Sequence, residues 1–255
     1  MTFTRAIVRP PGSSYAQGLT TGAHGEPSLE LALEQHARYC EALQRCGLEL
    51  VVLPADEAHP DATFVEDTAV IVGTRALITR PGAPSRLGEV HAVREALAPL
   101  VDEIETIDEN ATLDGGDVCE SEDRVYVGLS HRTNEAGADA LAQWLARAGT
   151  PTTKIEIRDV PSILHLKSGM GYLGDGRFAV IDELRGRVEA PTIVTVEPDE
   201  AYAANCVRVN DYVLLAAGYP SFETTLQSLG FKTIALDVSE YRKMDGGLSC
   251  LSLRF

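Results

Sequence analysis

Long hydrophobic runs are missing from this sequence. A membrane-spanning helix needs about 20 consecutive apolar residues, and no segment of the 255 residues approaches that length. The opening residues, MTFTRAIVRP, also lack the apolar core of a signal peptide. We therefore expect a cytoplasmic protein that makes no contact with a membrane.

Basic residues are few, with 22 Lys and Arg against 38 Asp and Glu and a net charge of −16. A protein that binds nucleic acid neutralises phosphates with a basic surface, and the sequence contains no cluster of Lys and Arg that would form one. The charge balance therefore argues against a nucleic-acid partner.

Cysteine is also scarce. The five cysteines are odd in number and include no CxxC pair, which excludes a disulfide framework and a zinc knuckle. Cys40 and Cys46 lie in an apolar helical pattern and are predicted to be core residues. The remaining composition, 44% hydrophobic and 24% charged, is that of a globular protein, and we predict one catalytic domain over residues 1–255.

What the sequence does contain is a repeated order of elements. The predicted helices are Pro27–Gly47, Arg86–Leu100, Thr133–Gly149 and Ser221–Gly230. The predicted buried face of the first helix consists of Leu29, Leu33, His36, Cys40, Leu43 and Gly47. A short β-rich run follows each helix, and another follows a weak turn, at Leu48–Pro54, Val101–Ile107, Thr152–Arg158, Thr192–Glu197 and Lys232–Val238. Strand–turn–strand units then follow at 66–80, 115–129, 165–182 and 204–218, and 246–255 supplies the first strand of a fifth unit.

These elements form a module of about 50 residues that occurs five times, a period typical of arrays and propellers. The fifth module lacks its last strand and helix, and the strand RAIVRP at 5–10 with the helix after it would complete the module. Joining them closes a ring and removes the open sheet edges of a linear array. We therefore predict an α/β fold, a five-bladed α/β propeller. The alternative is an ordinary α/β sheet with right-handed crossovers.

Reactive side chains gather where the first hairpin strand of each module begins. They are Asp61, Glu66, Asp67, Asp114, Asp117, His165, Asp245 and Cys250. In a ring, these side chains would converge on one central pit. A Cys beside a His is the minimum for covalent catalysis, and several carboxylates suit a planar cationic substrate. From the residues alone, core packing and a cysteine protease remain the alternatives, and the Gly-rich 169–176 lies within a hairpin and does not predict nucleotide binding.

Six segments carry a specific resemblance that covers essentially the whole chain. They are FVEDTAV, TLDGGDV, GLSHRTNEAGA, LHLKSGMGYL, YAANCVRVN and EYRKMDGGLSCLSL, in this order. They resemble the dimethylarginine dimethylaminohydrolase family, part of the guanidino-group-modifying superfamily with the pentein fold, a five-bladed α/β propeller. The resemblance implies hydrolysis of Nω-methylated arginines to citrulline and a methylated amine, with no cofactor or metal. The partner would be this small-molecule substrate, and a homodimer is an open possibility.

The resemblance also implies roles for individual residues. Cys250 would be the nucleophile, His165 the general acid and base, and Asp114 the carboxylate that orients His165. Because Asp114 is the shorter of the two acids used at that position, we expect a lengthened hydrogen bond to the imidazole. The implied substrate-binding residues are Asp67 for the guanidinium, Arg86 and Arg132 for the α-carboxylate, Asp61 for the α-amine, Leu19 in a lid loop, and Glu66, Met244 and Asp245 along the pocket. The competing functions are an arginine deiminase, an amidinotransferase and a non-catalytic methylarginine-binding protein.

Overall fold

The computed structural model describes residues 2–255, and fifteen strands and six helices lie within them. The strands are β1 Arg5–Val8, β2 Glu49–Val52, β3 Ala69–Val72, β4 Arg75–Ile78, β5 Glu103–Thr106, β6 Val118–Glu120, β7 Val125–Leu129, β8 Thr152–Glu156, β9 Met170–Gly174, β10 Arg177–Ile181, β11 Thr192–Val196, β12 Val207–Val209, β13 Tyr212–Ala216, β14 Lys232–Leu236 and β15 Leu253–Arg254. The helices are α1 Leu29–Arg45, α2 Val90–Leu97, α3 Glu135–Ala146, α4 Leu166–Gly169, α5 Pro220–Ser228 and α6 Ser239–Arg242. None of these helices has both the length and the apolar character that crossing a bilayer requires.

Five three-stranded sheets repeat one topology. In each sheet, the first strand pairs antiparallel with the second, and the second pairs parallel with the third, as in β3-β4-β5. The fifth sheet has the order β15-β1-β2, in which Ala6 lies opposite Arg254 and β1 runs parallel to β2. The strand at 5–10 therefore completes the fifth module, and the prediction of a five-bladed α/β propeller is confirmed.

The first strand of each blade lies towards the middle of the ring. β6 contacts β9, β9 contacts β12, and β15 contacts β3. The third strands lie outside, and β2 and β5 both expose their terminal residues. Apolar clusters fill the space between neighbouring blades, where Phe178 stacks edge-on against Tyr126. This packing fixes the inner ends of the blades, which carry the reactive residues.

The helices are shorter than predicted, and capping groups set the ends of α1. The Ser28 hydroxyl accepts a hydrogen bond from the Leu31 amide at the start of α1, and Gly47 follows the end of α1 with a φ of +94°. The buried residues of α1 include Ala32, His36, Tyr39 and Leu43. The prediction that Leu33 and Gly47 lie on the buried face is wrong. Leu33 is 42% exposed, Gly47 is exposed as well, and Ala32 takes the buried position next to Leu33.

A short helical turn precedes the first strand of every blade. These turns are Val65–Thr68, Gly115–Asp117, Leu166–Gly169, Pro198–Ala204 and Ser249–Leu251. The reactive residues therefore lie at the predicted ends of the blades, but most lie on or beside helical turns rather than on strands. The predicted hairpin strand at His165 is wrong in this respect, because α4 follows His165 and the strand begins only at Met170.

Neighbouring turns approach each other closely at a DGG sequence. A Cβ atom on Gly115 would lie 2.0 Å from the carbonyl oxygen of Glu66. A Cβ atom on Gly116 would lie 2.8 Å from His165 Nδ1 and 2.9 Å from Asp67 Oδ1. Glycine at these two positions lets the second blade touch the turns of the first and third.

We predict that Gly115→Ala lowers the free energy of unfolding by about 1–3 kcal/mol, since the added methyl group overlaps rigid backbone. Urea denaturation measures the change. Gly186→Ala is the matched control, because a Cβ atom there meets nothing within 4 Å among residues 2–255, and its effect should stay within about 0.5 kcal/mol. Equal stability of the two variants would contradict the close approach.

Candidate active site

Asp67 is a buried carboxylate at the centre of the site. Its Oδ1 accepts a hydrogen bond from the Gly116 amide at 2.8 Å, and its Oδ2 accepts one from Arg86 Nη1 at 2.6 Å. Burial favours the neutral acid, but the charges of His165 and Arg86 outweigh burial and lower the pKa of Asp67. Asp67 is therefore ionised at neutral pH.

Arg86 lies directly behind Asp67, and Glu89 holds it there. Arg86 Nε donates to both Glu89 carboxylate oxygens at 3.0 and 3.1 Å, and Nη2 donates to Glu89 Oε2 at 2.8 Å. Nη2 also donates to the Phe64 carbonyl at 3.1 Å. Within residues 2–255, one N–H of Nη1 is bonded to Asp67 and the other has no acceptor. The role of Arg86 in binding a substrate carboxylate stays a prediction, and that N–H is the group available for it.

Asp114 orients the imidazole of His165. The imidazole Nε2 and Asp114 Oδ2 are 2.9 Å apart, and Asp114 Oδ1 accepts from the Gly82 amide at 2.8 Å. The expected lengthening of the imidazole bond does not occur. Burial lowers the pKa of His165, but the charges of Asp67, Asp117 and Asp114 overcome it and raise the pKa to about 9. The imidazole is therefore a cation at neutral pH, with a proton to give.

Cys250 is buried beside the same carboxylates. Burial raises the pKa of its thiol well above the usual range, and the charges of Glu66 and Asp67 raise it further. The Gly247 and Ser249 hydrogen bonds only partly oppose this rise. The sulfur of the free protein therefore carries its proton at neutral pH.

Glu66 pairs with two basic side chains. Its Oε1 lies 2.7 Å from Lys167 Nζ and 3.0 Å from Arg254 Nη2. These two cations balance a carboxylate whose residue is only 3% exposed. A cavity of about 110 Å³ continues along the first strands beyond Glu66, and Cys119, Glu120, Tyr172, Cys206 and Arg208 are among its lining residues. Glu66 also lines this cavity, and its role in binding substrate stays a prediction.

Hydrogen bonds hold the loop around Leu19 in place at the site. The Leu19 amide donates to both carboxylate oxygens of Asp61, at 3.0 and 3.2 Å. The Thr21 hydroxyl donates to Asp245 Oδ1 at 2.8 Å, and the Thr20 hydroxyl donates to the Lys243 carbonyl at 2.7 Å. Asp61 and Asp245 therefore hold the predicted lid, and their contacts with substrate stay predictions.

Met244 and Arg132 border the same loop region. Met244 is buried, and its Cε lies 3.0 Å from where a Cβ on Gly18 would stand. Arg132 is half-buried, and its charge opposes the rise that burial causes in the pKa of Asp61. No hydrogen bond or ion pair of the Arg132 guanidinium is found within residues 2–255. A cationic group near Asp61 thus remains available for an anionic ligand.

One group of side chains brings its possible ligand atoms close enough together to hold a metal ion. Donor atoms of Asp67, Asp114 and His165 lie within 4.8 Å of one another. Each of these groups already has a partner, since Asp67 accepts from Arg86 and Gly116 and Asp114 accepts from Gly82 and pairs with His165. The cluster is thus better suited to hydrogen-bond a planar cation than to surround a metal ion.

Sequence reasoning missed three residues of this site. Glu89, Lys167 and Arg254 make the ion pairs that hold Arg86 and Glu66. Lys167 and Arg254 could have been suspected from their distance of two and four residues from His165 and Cys250. Glu89 gives no such signal, because it lies in a helix-like stretch where acidic residues are common.

The chain is similar to several known proteins over its whole length. Residues 18–183 match the family model described as N,N dimethylarginine dimethylhydrolase, eukaryotic. The N(G),N(G)-dimethylarginine dimethylaminohydrolase of Pseudomonas aeruginosa is 39% identical over 256 residues, which cover 99% of this chain and 100% of that protein. A solved structure of a cysteine-to-serine mutant of the Pseudomonas aeruginosa enzyme with citrulline has a TM-score of 0.93, with 37% identity and full coverage of both chains. A histidine-to-glycine variant of a dimethylarginine dimethylaminohydrolase, solved as an adduct with S-methyl-L-thiocitrulline, has a TM-score of 0.92 at 37% identity and the same coverage.

We predict that NMR titration of the His165 imidazole gives a midpoint near pH 9, since three carboxylates raise its pKa to about 9. Asp114→Asn removes one of these charges, and the midpoint should move to lower pH. Asp139→Asn, an exposed carboxylate that pairs with Lys154, is the control and should leave the midpoint unchanged. An unshifted midpoint in Asp114→Asn would show that Asp114 does not set the charge of His165.

Proposed function

Because the chain belongs to the dimethylarginine dimethylaminohydrolase family, we propose that it hydrolyses Nω-methylated arginines to citrulline and a methylated amine. The observation that carries this proposal is the buried Asp67 carboxylate, which Gly116 and Arg86 hold in place and whose charge acts on both the His165 imidazole and the Cys250 thiol. A guanidinium is the planar cation that a carboxylate binds through paired N–H groups. The guanidinium carbon would then lie between Cys250 and His165.

Binding of the substrate activates the nucleophile. Burial and the charges of Glu66 and Asp67 hold the proton on Cys250, and the positive guanidinium offsets the effect of these charges. The thiol proton passes to solvent, because the imidazole already carries one, and the resulting thiolate attacks the guanidinium carbon to form a C–S bond. Thiolate thus forms when the substrate is bound, and this limits reaction of the free enzyme with other electrophiles.

His165 moves the protons in both halves of the reaction. In the first half, the imidazolium donates a proton to the methylated nitrogen, the C–N bond breaks, and the amine leaves a thiouronium on Cys250. In the second half, the neutral imidazole takes a proton from water, and the resulting hydroxide attacks the same carbon. The C–S bond breaks, the proton of the new hydroxyl group passes to the departing sulfur, and citrulline is released with the thiol and the imidazolium restored. Asp114 holds the ring in place throughout.

The substrate would be bound at both its guanidinium end and its amino-acid end. Asp67 binds the guanidinium, while Arg132, with the remaining N–H of Arg86, binds the α-carboxylate. Asp61 faces the α-amine, and the Leu19 loop, with Met244 and Asp245 beneath it, covers the amino-acid end. A compact cationic amino acid satisfies all of these groups together.

The proposal is tested by separate incubation with asymmetric dimethylarginine, monomethylarginine and arginine, followed by assays for citrulline and the released amine. We expect citrulline with dimethylamine or methylamine from the methylated substrates. Cys250→Ser should abolish turnover while the fold is retained, since a hydroxyl has no accessible anionic form near neutral pH. Preferred release of ammonia from arginine would indicate a deiminase, and binding without citrulline would indicate a binding protein.

We predict that Arg132→Ala lowers kcat/KM for a methylated arginine by roughly 10–100-fold, since a charge-assisted hydrogen bond contributes about 1.5–3 kcal/mol. The same variant should cause little loss with a decarboxylated methylarginine, which has no carboxylate to bind. The comparison of enzyme and substrate truncation forms a double-mutant cycle. Equal losses with both substrates would assign Arg132 a structural role.

A further inference from the structure

Asp117 is a buried carboxylate that the proposed mechanism does not use. It belongs to the DGGD sequence that also contains Asp114, and no part of the residue is exposed to solvent. Its Oδ2 accepts hydrogen bonds from the Ser130 and Thr133 hydroxyls, both at 2.6 Å, and its Oδ1 accepts one from the Leu166 amide at 2.9 Å. Three donors on two separate chain segments therefore converge on one side chain.

The bond from the Leu166 amide to Asp117 fixes the start of α4. Leu166 directly follows His165, so the bond from its amide to Asp117 holds the backbone that carries the imidazole. Asp117 also acts on the ring through space, because its charge is one of three, with Asp67 and Asp114, that raise the pKa of His165. Burial raises the pKa of Asp117 itself to about 6, so the carboxylate remains mostly ionised at neutral pH.

The other two bonds fix the segment that carries Arg132. Each hydroxyl has one hydrogen, and donation of it to Asp117 leaves the oxygen lone pairs to accept other bonds. The Ser130 oxygen accepts from the amides of Arg132 and Thr133, both at 3.0 Å. The Thr133 oxygen accepts from the Asp114 amide at 3.1 Å. Asp117 thereby sets the direction of both hydroxyls and, through them, the backbone of Arg132 and Asp114.

We propose that Asp117 is a positioning residue that fixes the relative positions of His165, Asp114 and Arg132. A substrate whose carboxylate is bound by Arg132 is then correctly placed for proton transfer by His165. It touches no reacting atom, and its effect passes through the three groups it holds. The inference rests on the proposed hydrolysis. A displacement of about 1 Å in such an arrangement can reduce the rate about 100-fold, which gives the hydroxyl bonds a measurable effect.

Ser130→Ala and Thr133→Val test the positioning of Arg132 and Asp114. We expect Ser130→Ala to raise KM roughly 10-fold, since it frees the Arg132 backbone, and Thr133→Val to lower kcat by a similar factor, since it frees Asp114. Thr133→Ser retains the hydroxyl and should restore kcat. Ser121→Ala is the matched control, because the Ser121 hydroxyl also donates to an Asp, Asp123 at 2.8 Å, in the turn between β6 and β7.

Asp117→Asn tests the effect on His165 in a side chain of nearly the same shape. The alkaline limb of kcat/KM and the NMR midpoint of His165 should both move to lower pH, because Asp67 and Asp114 alone remain to hold the proton. A loss of thermal stability like that of Ser121→Ala, with KM, kcat and the His165 midpoint unchanged, would overturn the proposal. If Asp117→Asn does not fold, the Ser130 and Thr133 variants decide the question. The His165 titration needs no turnover, so it separates failure of this inference from failure of the proposed function.

Discussion

A negative charge held out of water at Asp67 is the constraint to which the rest of the site responds. An unpaired buried carboxylate would take up a proton and lose its attraction for a cation. Arg86 prevents this with a bond at 2.6 Å, and Glu89 in turn holds Arg86 with three bonds. Loss of one member of a buried ion pair costs about 3–5 kcal/mol, because the other charge is left uncompensated. Substitution of Arg86 or Glu89 would thus impair folding and binding together.

The same charge explains how a thiol can be both protected and reactive. Asp67 and Glu66 disfavour a second negative charge on Cys250, while Asp67 also favours the positive charge on His165. In the protein without substrate, Cys250 is therefore a neutral thiol and His165 is a positively charged imidazolium. A cationic substrate reverses the balance at the sulfur, so the electrostatic cost of forming thiolate is met by substrate binding.

The blades and the positions of Cys250, His165 and Asp67 were predictable because the repeat brings the start of each module to the ring axis. The side chains that support them were not. Arg86 is the first residue of a predicted helix, where an arginine is usually solvated, and only the folded chain turns it towards Asp67 and Glu89. Leu33 shows the same limit at the level of the fold, since periodicity defines an apolar face of α1 only to within one residue. Pairing between modules depends on side-chain directions that the pattern of residue types does not contain.

The blade that contains the nucleophile is also the one that joins the most distant parts of the sequence. β15 pairs with β1 at Arg254 and Ala6, whereas the other four blades take all three strands from nearby residues. Contacts of large sequence separation carry a high loop-closure entropy and form slowly. Cys250 is therefore expected to reach Asp67 only when β15 pairs with β1. An incompletely folded chain would hold the residues of four blades near their final places and still lack the sulfur, so catalytic competence would be a late event in folding.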